Sequence, residues 1–156
     1  MNQRARAAAL KRLNAFVGEW RVDASFPGSP PGRSVFEWVL DGQYIVQRSE
    51  SPPPAPGSLA VVSVDPKTGA YTQHYFDSRG VVRVYAMTLS RGTWILKREA
   101  PDFSPLHFKQ RFVGKFSRDG KTIKGSWETG SKRGSAWVKD FDLVFTRITP
   151  RRHSSR

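Results

Sequence analysis

From residue 16 onward, apolar and polar side chains alternate with a period of two, and turn residues interrupt the alternation at short intervals. A helix needs apolar positions about 3.6 residues apart, so this pattern commits the chain to half-buried strands. The first run, FVGEWRVDASF over 16–26, places Phe16, Gly18, Trp20, Val22, Ala24 and Phe26 on one face. Glu19, Arg21, Asp23 and Ser25 take the other. A second strand over 33–40 carries Phe36, Trp38 and Leu40 on one face and runs into Asp41-Gly42, a strong hairpin signal, with its partner over 43–50.

The same pattern continues to the end. PPPAPG, residues 52–57, is too rich in proline for a strand interior and reads as a loop. Strands follow over 58–64, 70–76, 81–88, 93–99, 107–116, 122–128 and 135–148, separated by turns such as DPKTG at 65–69 and DSRG at 77–80. Ten strands joined mostly by short turns imply an all-β, up-and-down antiparallel sheet. Closing that sheet into a β-barrel removes both exposed edges. Ahead of it, residues 1–15 read as a short, basic amphipathic helix, with Ala9, Leu10 and Leu13 at helical spacing.

At 156 residues and 38% hydrophobic, the chain suits one domain with one core: a helical segment over 1–15, a barrel over 16–150 and a basic tail over 151–156. Cysteine is absent, which excludes a disulfide framework and thiolate chemistry. No apolar run is long enough for a membrane-spanning helix, and the N-terminus lacks the apolar core of a secretory signal, so the expected location is cytoplasmic. The formal charge is +13, but eight of the 26 Lys and Arg residues (Arg4, Arg6, Lys11, Arg12, Arg147, Arg151, Arg152, Arg156) lie in the two terminal segments. No nucleic-acid-binding pattern accompanies that charge, so no specific nucleic-acid partner is expected.

The last strand puts Trp137, Lys139, Phe141, Leu143, Phe145 and Arg147 on one face and Val138, Asp140, Asp142, Val144 and Thr146 on the other. An apolar face that ends in arginine suits a barrel end, where the guanidinium can lie over an aromatic ring. Trp20 is the expected partner. A short N-terminal helix, Gly18-x-Trp20 opening the first strand and Arg147 in the last together resemble the calycins, which include lipocalins and fatty-acid-binding proteins. FEWVLDGQYIVQR (36–48) and YFDSRGVVRVYAM (75–87) are similar to bacterial lipocalin-like families of largely uncharacterised function. The resemblance implies that Gly18, Trp20 and Arg147 close the barrel base as a structural signature, around an interior that holds a small ligand. Nitrobindin-like relatives bind haem through a histidine on the last strand; this chain has Asp140 and Asp142 there and no histidine before His153.

Chemical motifs are few. GKFSRDGKT, 114–122, nearly spells a phosphate-binding loop, but five residues separate its glycines and it lies between two strands, so it reads as a hairpin turn. His74, His107 and His153 are scattered without metal-ligand spacing, so neither metal nor cofactor is expected. His74 with Asp77 is the best acid–base pair available, although the stronger reading is an Asx turn at Asp77 before Gly80, with His74 an ordinary strand residue at its edge.

The interior therefore carries the functional expectation. Trp38, Tyr44, Tyr75, Tyr85, Trp94, Phe108, Phe112 and Trp127 are candidate cavity walls. Gln110 shares the face of Phe108, Phe112 and Phe116, and a polar group on an apolar face needs a partner. Arg83, on the face of Tyr85 and Met87, and Arg48, beside Tyr44 and Val46, could each meet a carboxylate if they point inward. The expected function is binding of a small, largely apolar or amphipathic ligand inside the barrel. An enzyme using a titratable pair in the cavity, a haem-binding protein, and a filled barrel acting through its basic ends are the alternatives.

Overall fold

The computed structural model describes residues 3–149, so the tail over 151–156 and His153 lie outside the described residues. Helix α1 (Gln3–Arg12) passes into a 3-10 turn (Leu13–Phe16). Ten strands follow: β1 (Gly18–Ala24), β2 (Gly32–Val39), β3 (Tyr44–Glu50), β4 (Ser58–Val64), β5 (Tyr71–Asp77), β6 (Val82–Ser90), β7 (Thr93–Arg98), β8 (Phe108–Phe116), β9 (Thr122–Ser131) and β10 (Trp137–Arg147). Each pairs antiparallel with its neighbours in the chain, and β1 pairs with β10, so the sheet is a closed up-and-down barrel. No helix among the described residues is long and apolar enough to cross a membrane.

The expected first strand from residue 16 starts late. Phe16 ends the 3-10 turn instead of opening β1, because Leu13 and Phe16 fold under the barrel and plug it. Phe16 stacks on Phe36 and meets Trp94 and Phe116 edge-on, with ring centroids 4.8–5.2 Å apart. Helix α1 is tied to the same end by the Tyr71 hydroxyl, which donates to the Ala9 carbonyl at 2.5 Å. One end of the barrel is thereby stoppered by apolar burial, the main favourable term in folding.

At that end Trp20 is 0% exposed and directly opposite Arg147 in the β1–β10 register. The Arg147 guanidinium carbon lies 4.2 Å from the Trp20 ring centroid. Its nitrogens donate to the carbonyls of Val17 at 2.5 Å and Ala15 at 2.8 Å. Gly18 makes the approach possible: its φ is +125°, and a Cβ there would come within 2.7 Å of Arg147 Nη1. Trp20 completes the set by donating its indole N–H to the Phe16 carbonyl at 2.8 Å.

The barrel waist is filled as well. Phe112 reaches across it from β8 over the paired glycines Gly114 and Gly125. A Cβ at Gly125 would lie 2.4 Å from the Phe112 ring, and one at Gly114 would lie 2.8 Å from it. Two bare strand positions thus make room for one ring. Trp94 and Trp127 pack against that ring, and Phe145 packs on Trp94, closing the floor.

The last strand departs from strict alternation. Its pairing with β9 shifts between Lys139 and Phe141, a β-bulge that leaves Asp140 without an opposite residue. Trp137 and Lys139 therefore do not share the inward face of Phe141, as unbroken alternation requires. Trp137 lies on the outside, beneath Arg111, whose guanidinium carbon is 4.3 Å from its ring centroid. Lys139 also faces out and pairs with Asp142 at 2.9 Å.

Candidate functional site

Because the plug occupies one end and Phe112 the waist, open space is left at the opposite end. A cavity of about 270 Å³ lies there, walled by β5, β6, β8, β9 and the start of β10. The register builds it in tiers. Gln73 stands opposite Tyr85, and Tyr75 opposite Arg83. Gln110 stands opposite Thr129, and Phe112 opposite Trp127.

The deep tier is aromatic. Tyr85 and Trp127 face each other with centroids 5.6 Å apart, and Trp127 rests on Phe112 at 5.4 Å. Burial holds the Tyr85 phenol well above its usual range, so it is a neutral donor at physiological pH. Its hydroxyl donates to Gln110 Oε1 at 3.3 Å.

The middle tier is polar and incompletely matched. Gln73 is only 4% exposed, yet its amide has no hydrogen-bond partner among the described residues and lines the cavity. Its face also carries Tyr71 and Tyr75, the pattern of a polar side chain among apolar ones that singles out Gln110. The amide nitrogen of Gln110 is likewise left for whatever fills the cavity. The two amides supply donors and acceptors on the cavity wall that a molecule displacing water there has to match.

At the mouth, two of the four charged lining residues are already in ion pairs. Arg79 clamps Asp77 at 2.7 Å, and Asp77 also accepts from the Tyr75 hydroxyl at 3.0 Å and from the Arg79 backbone N–H at 2.9 Å. The Arg79 hydrogen bond, assisted by these others, lowers the Asp77 carboxyl to about 2. Burial, reinforced by the Asp77 carboxylate, raises the Tyr75 phenol to about 12. Glu128 is held by Arg111 at 2.9 Å.

The β7–β8 connection anchors the rim. Arg98 and Asp102, whose side chains are 3% and 6% exposed, pair at 2.7 Å. Asp102 also accepts from the backbone N–H groups of Val84 at 2.9 Å and Ser104 at 3.1 Å. With every lone-pair direction used, burial of this ion pair is compensated. Arg83 leans against the same loop, donating to Ser104 Oγ at 3.2 Å.

Of the residues the sequence singles out, Tyr75, Arg83, Tyr85, Gln110 and Trp127 line the cavity. The other five walls lie elsewhere. Trp94 and Phe112 are core, and Phe108 sits on the rim, 44% exposed. Trp38 and Tyr44 belong to the plugged end, where the Trp38 indole donates to Asn14 Oδ1 at 2.8 Å. Arg48 faces outward and is paired with Glu37.

His74 and Asp77 do not form an acid–base pair. His74 sits between Gln73 and Tyr75 and so takes the outer face, while Asp77 is committed to its Asx turn and to Arg79. The cavity lining contains no imidazole, the ligand through which nitrobindin-like proteins hold haem. Among the described residues no group of His, Cys, Asp and Glu is placed to hold a metal ion. Asp140 and Phe141, both cavity residues, escape sequence reasoning because only the bulge brings them to the wall together. Comparison with protein-family models and with curated proteins found no match to this chain.

Proposed function

We propose that this barrel is a binding protein of calycin type whose open end takes a small planar molecule. The observation that carries this reading is Gln73, whose amide has no protein partner and reaches solvent only through the aromatic cavity that it lines. A bound molecule that covers this amide has to carry both a donor and an acceptor, because an amide left unmatched once water is displaced costs about 1–3 kcal/mol. Tyr85 and Trp127 offer ring faces to a flat apolar body, and the amides of Gln73 and Gln110 orient it. About 270 Å³ suits a one- or two-ring compound and is short for an extended lipid chain. The Gly18, Trp20 and Arg147 arrangement supports the calycin likeness, since it closes the base and leaves one mouth.

Fluorescence titration with benzamide tests the proposal. Saturable quenching is expected in the wild type and should disappear in Trp127→Phe, the other four tryptophans remaining. Gln73→Leu should weaken binding about tenfold or more, as in a site built to hydrogen-bond its ligand. Quenching that persists unchanged in both variants would place binding elsewhere and overturn the reading.

A further inference from the structure

Four charged residues line the cavity, and two of them are neutralised by the protein: Arg79 by Asp77, and Glu128 by Arg111. The other two are not. Arg83 reaches only neutral acceptors, the Val82 carbonyl and Ser104 Oγ, each at 3.2 Å. Asp140 has neither an ion pair nor a hydrogen bond among the described residues.

Asp140 is an exposed residue of the cavity lining. Its strand neighbour Asp142 faces out, bonded to Ser126 and Lys139, and strict alternation would put Asp140 beside it. The bulge between Lys139 and Phe141 breaks that parity and brings Asp140 to the cavity wall with Phe141. Bulges recur beside binding sites because they re-aim a side chain in this way. Arg83 lies on β6 and Asp140 on β10, with three strands between them in the sheet. A cavity of this volume is about 8 Å across if round, so one small molecule can reach both.

We infer that the ligand is dipolar: a compact aromatic zwitterion whose carboxylate meets Arg83 and whose ammonium meets Asp140, with the ring against Tyr85 and Trp127. This rests on the cavity being a binding site. It adds the charge pattern that selects among planar molecules. Arginine presents a planar fork suited to a carboxylate, and a carboxylate at the mouth favours a cation and repels a second anion. Each contact lies at a partly wet rim, so each is expected to contribute about threefold to tenfold in affinity.

The test compares four probes by calorimetry: L-phenylalanine, 3-phenylpropionate, 2-phenylethylamine and uncharged benzamide. L-Phenylalanine is expected to bind at least about threefold more tightly than either singly charged probe. Asp140→Asn should erase its advantage over 3-phenylpropionate, and Arg83→Gln its advantage over 2-phenylethylamine. Equal affinities for charged and uncharged probes, or an affinity ratio unmoved by Asp140→Asn, would overturn the dipolar assignment and leave the cavity a binding site. Absence of binding by all four would overturn both.

Discussion

Substituting Gly18 by alanine tests the geometry of the barrel base most sharply. With φ at +125°, the residue occupies backbone space that is essentially reserved for glycine, and a side chain there costs about 1–3 kcal/mol. The new Cβ would also sit 2.7 Å from Arg147 Nη1, so the guanidinium has to move. Its charge-assisted bond to the Val17 carbonyl is then lost, for about 1.5–3 kcal/mol more. Gly18→Ala is therefore expected to destabilise the protein by about 3–5 kcal/mol. In an Arg147→Met background nothing remains to be displaced, and the same substitution should cost only the backbone strain. The resulting coupling of about 2 kcal/mol is measurable by urea denaturation of the four proteins, following tryptophan fluorescence at constant m value. A cost below about 1 kcal/mol for Gly18→Ala, or a cycle additive to within about 0.5 kcal/mol, would refute the steric link between Gly18 and Arg147.

Gly125→Ala should cost about 1–3 kcal/mol by pressing on the Phe112 ring, and Phe112→Leu in the same chain should recover part of that loss in denaturant unfolding. Asp102→Ala strands the buried Arg98 guanidinium and is expected to lower stability by about 3–5 kcal/mol, read in the same way. Asp77 has a folded pKa of about 2 against 3.8, so its contribution is complete above pH 4 and is lost as pH falls through about 2. Asp77→Asn should flatten that part of an acid unfolding curve. Tyr75 has the opposite sign of pH dependence, because its folded pKa is raised from 10.0 to about 12. Stability should decline across that alkaline interval, and Tyr75→Phe should make the decline shallower in thermal melts taken at stepped pH, the raised Tyr85 and Tyr71 phenols supplying the rest.

Much of the architecture was legible because period-two alternation and turn chemistry are local properties. Ten runs bounded by glycine, proline and aspartate admitted few outcomes besides a meander. Even the closure could be anticipated, since a tryptophan in the first strand and an arginine in the last are complementary wherever the ends of a sheet meet. Gln110 was visible by the same local rule, as a polar side chain on an apolar face.

Which aromatic residues would be core and which would be wall was not local. Phe112 and Trp127 have the same alternating context, but Phe112 lies over two glycines and fills the waist, while Trp127 borders the space above it. Phe16 continues the strand pattern in sequence and yet leaves the strand to plug the base.

Sequence alone determined that the chain forms antiparallel strands, that they close, and that the interior is aromatic with one amide, Gln110, among its apolar neighbours. Tertiary structure decided where the interior is solid and where it is open, because filling depends on what faces each side chain across the barrel. It also decided the charge at the mouth. A single extra residue in β10 reverses the facing of Asp140, and the extra residue becomes visible only when the strand is paired with its neighbour.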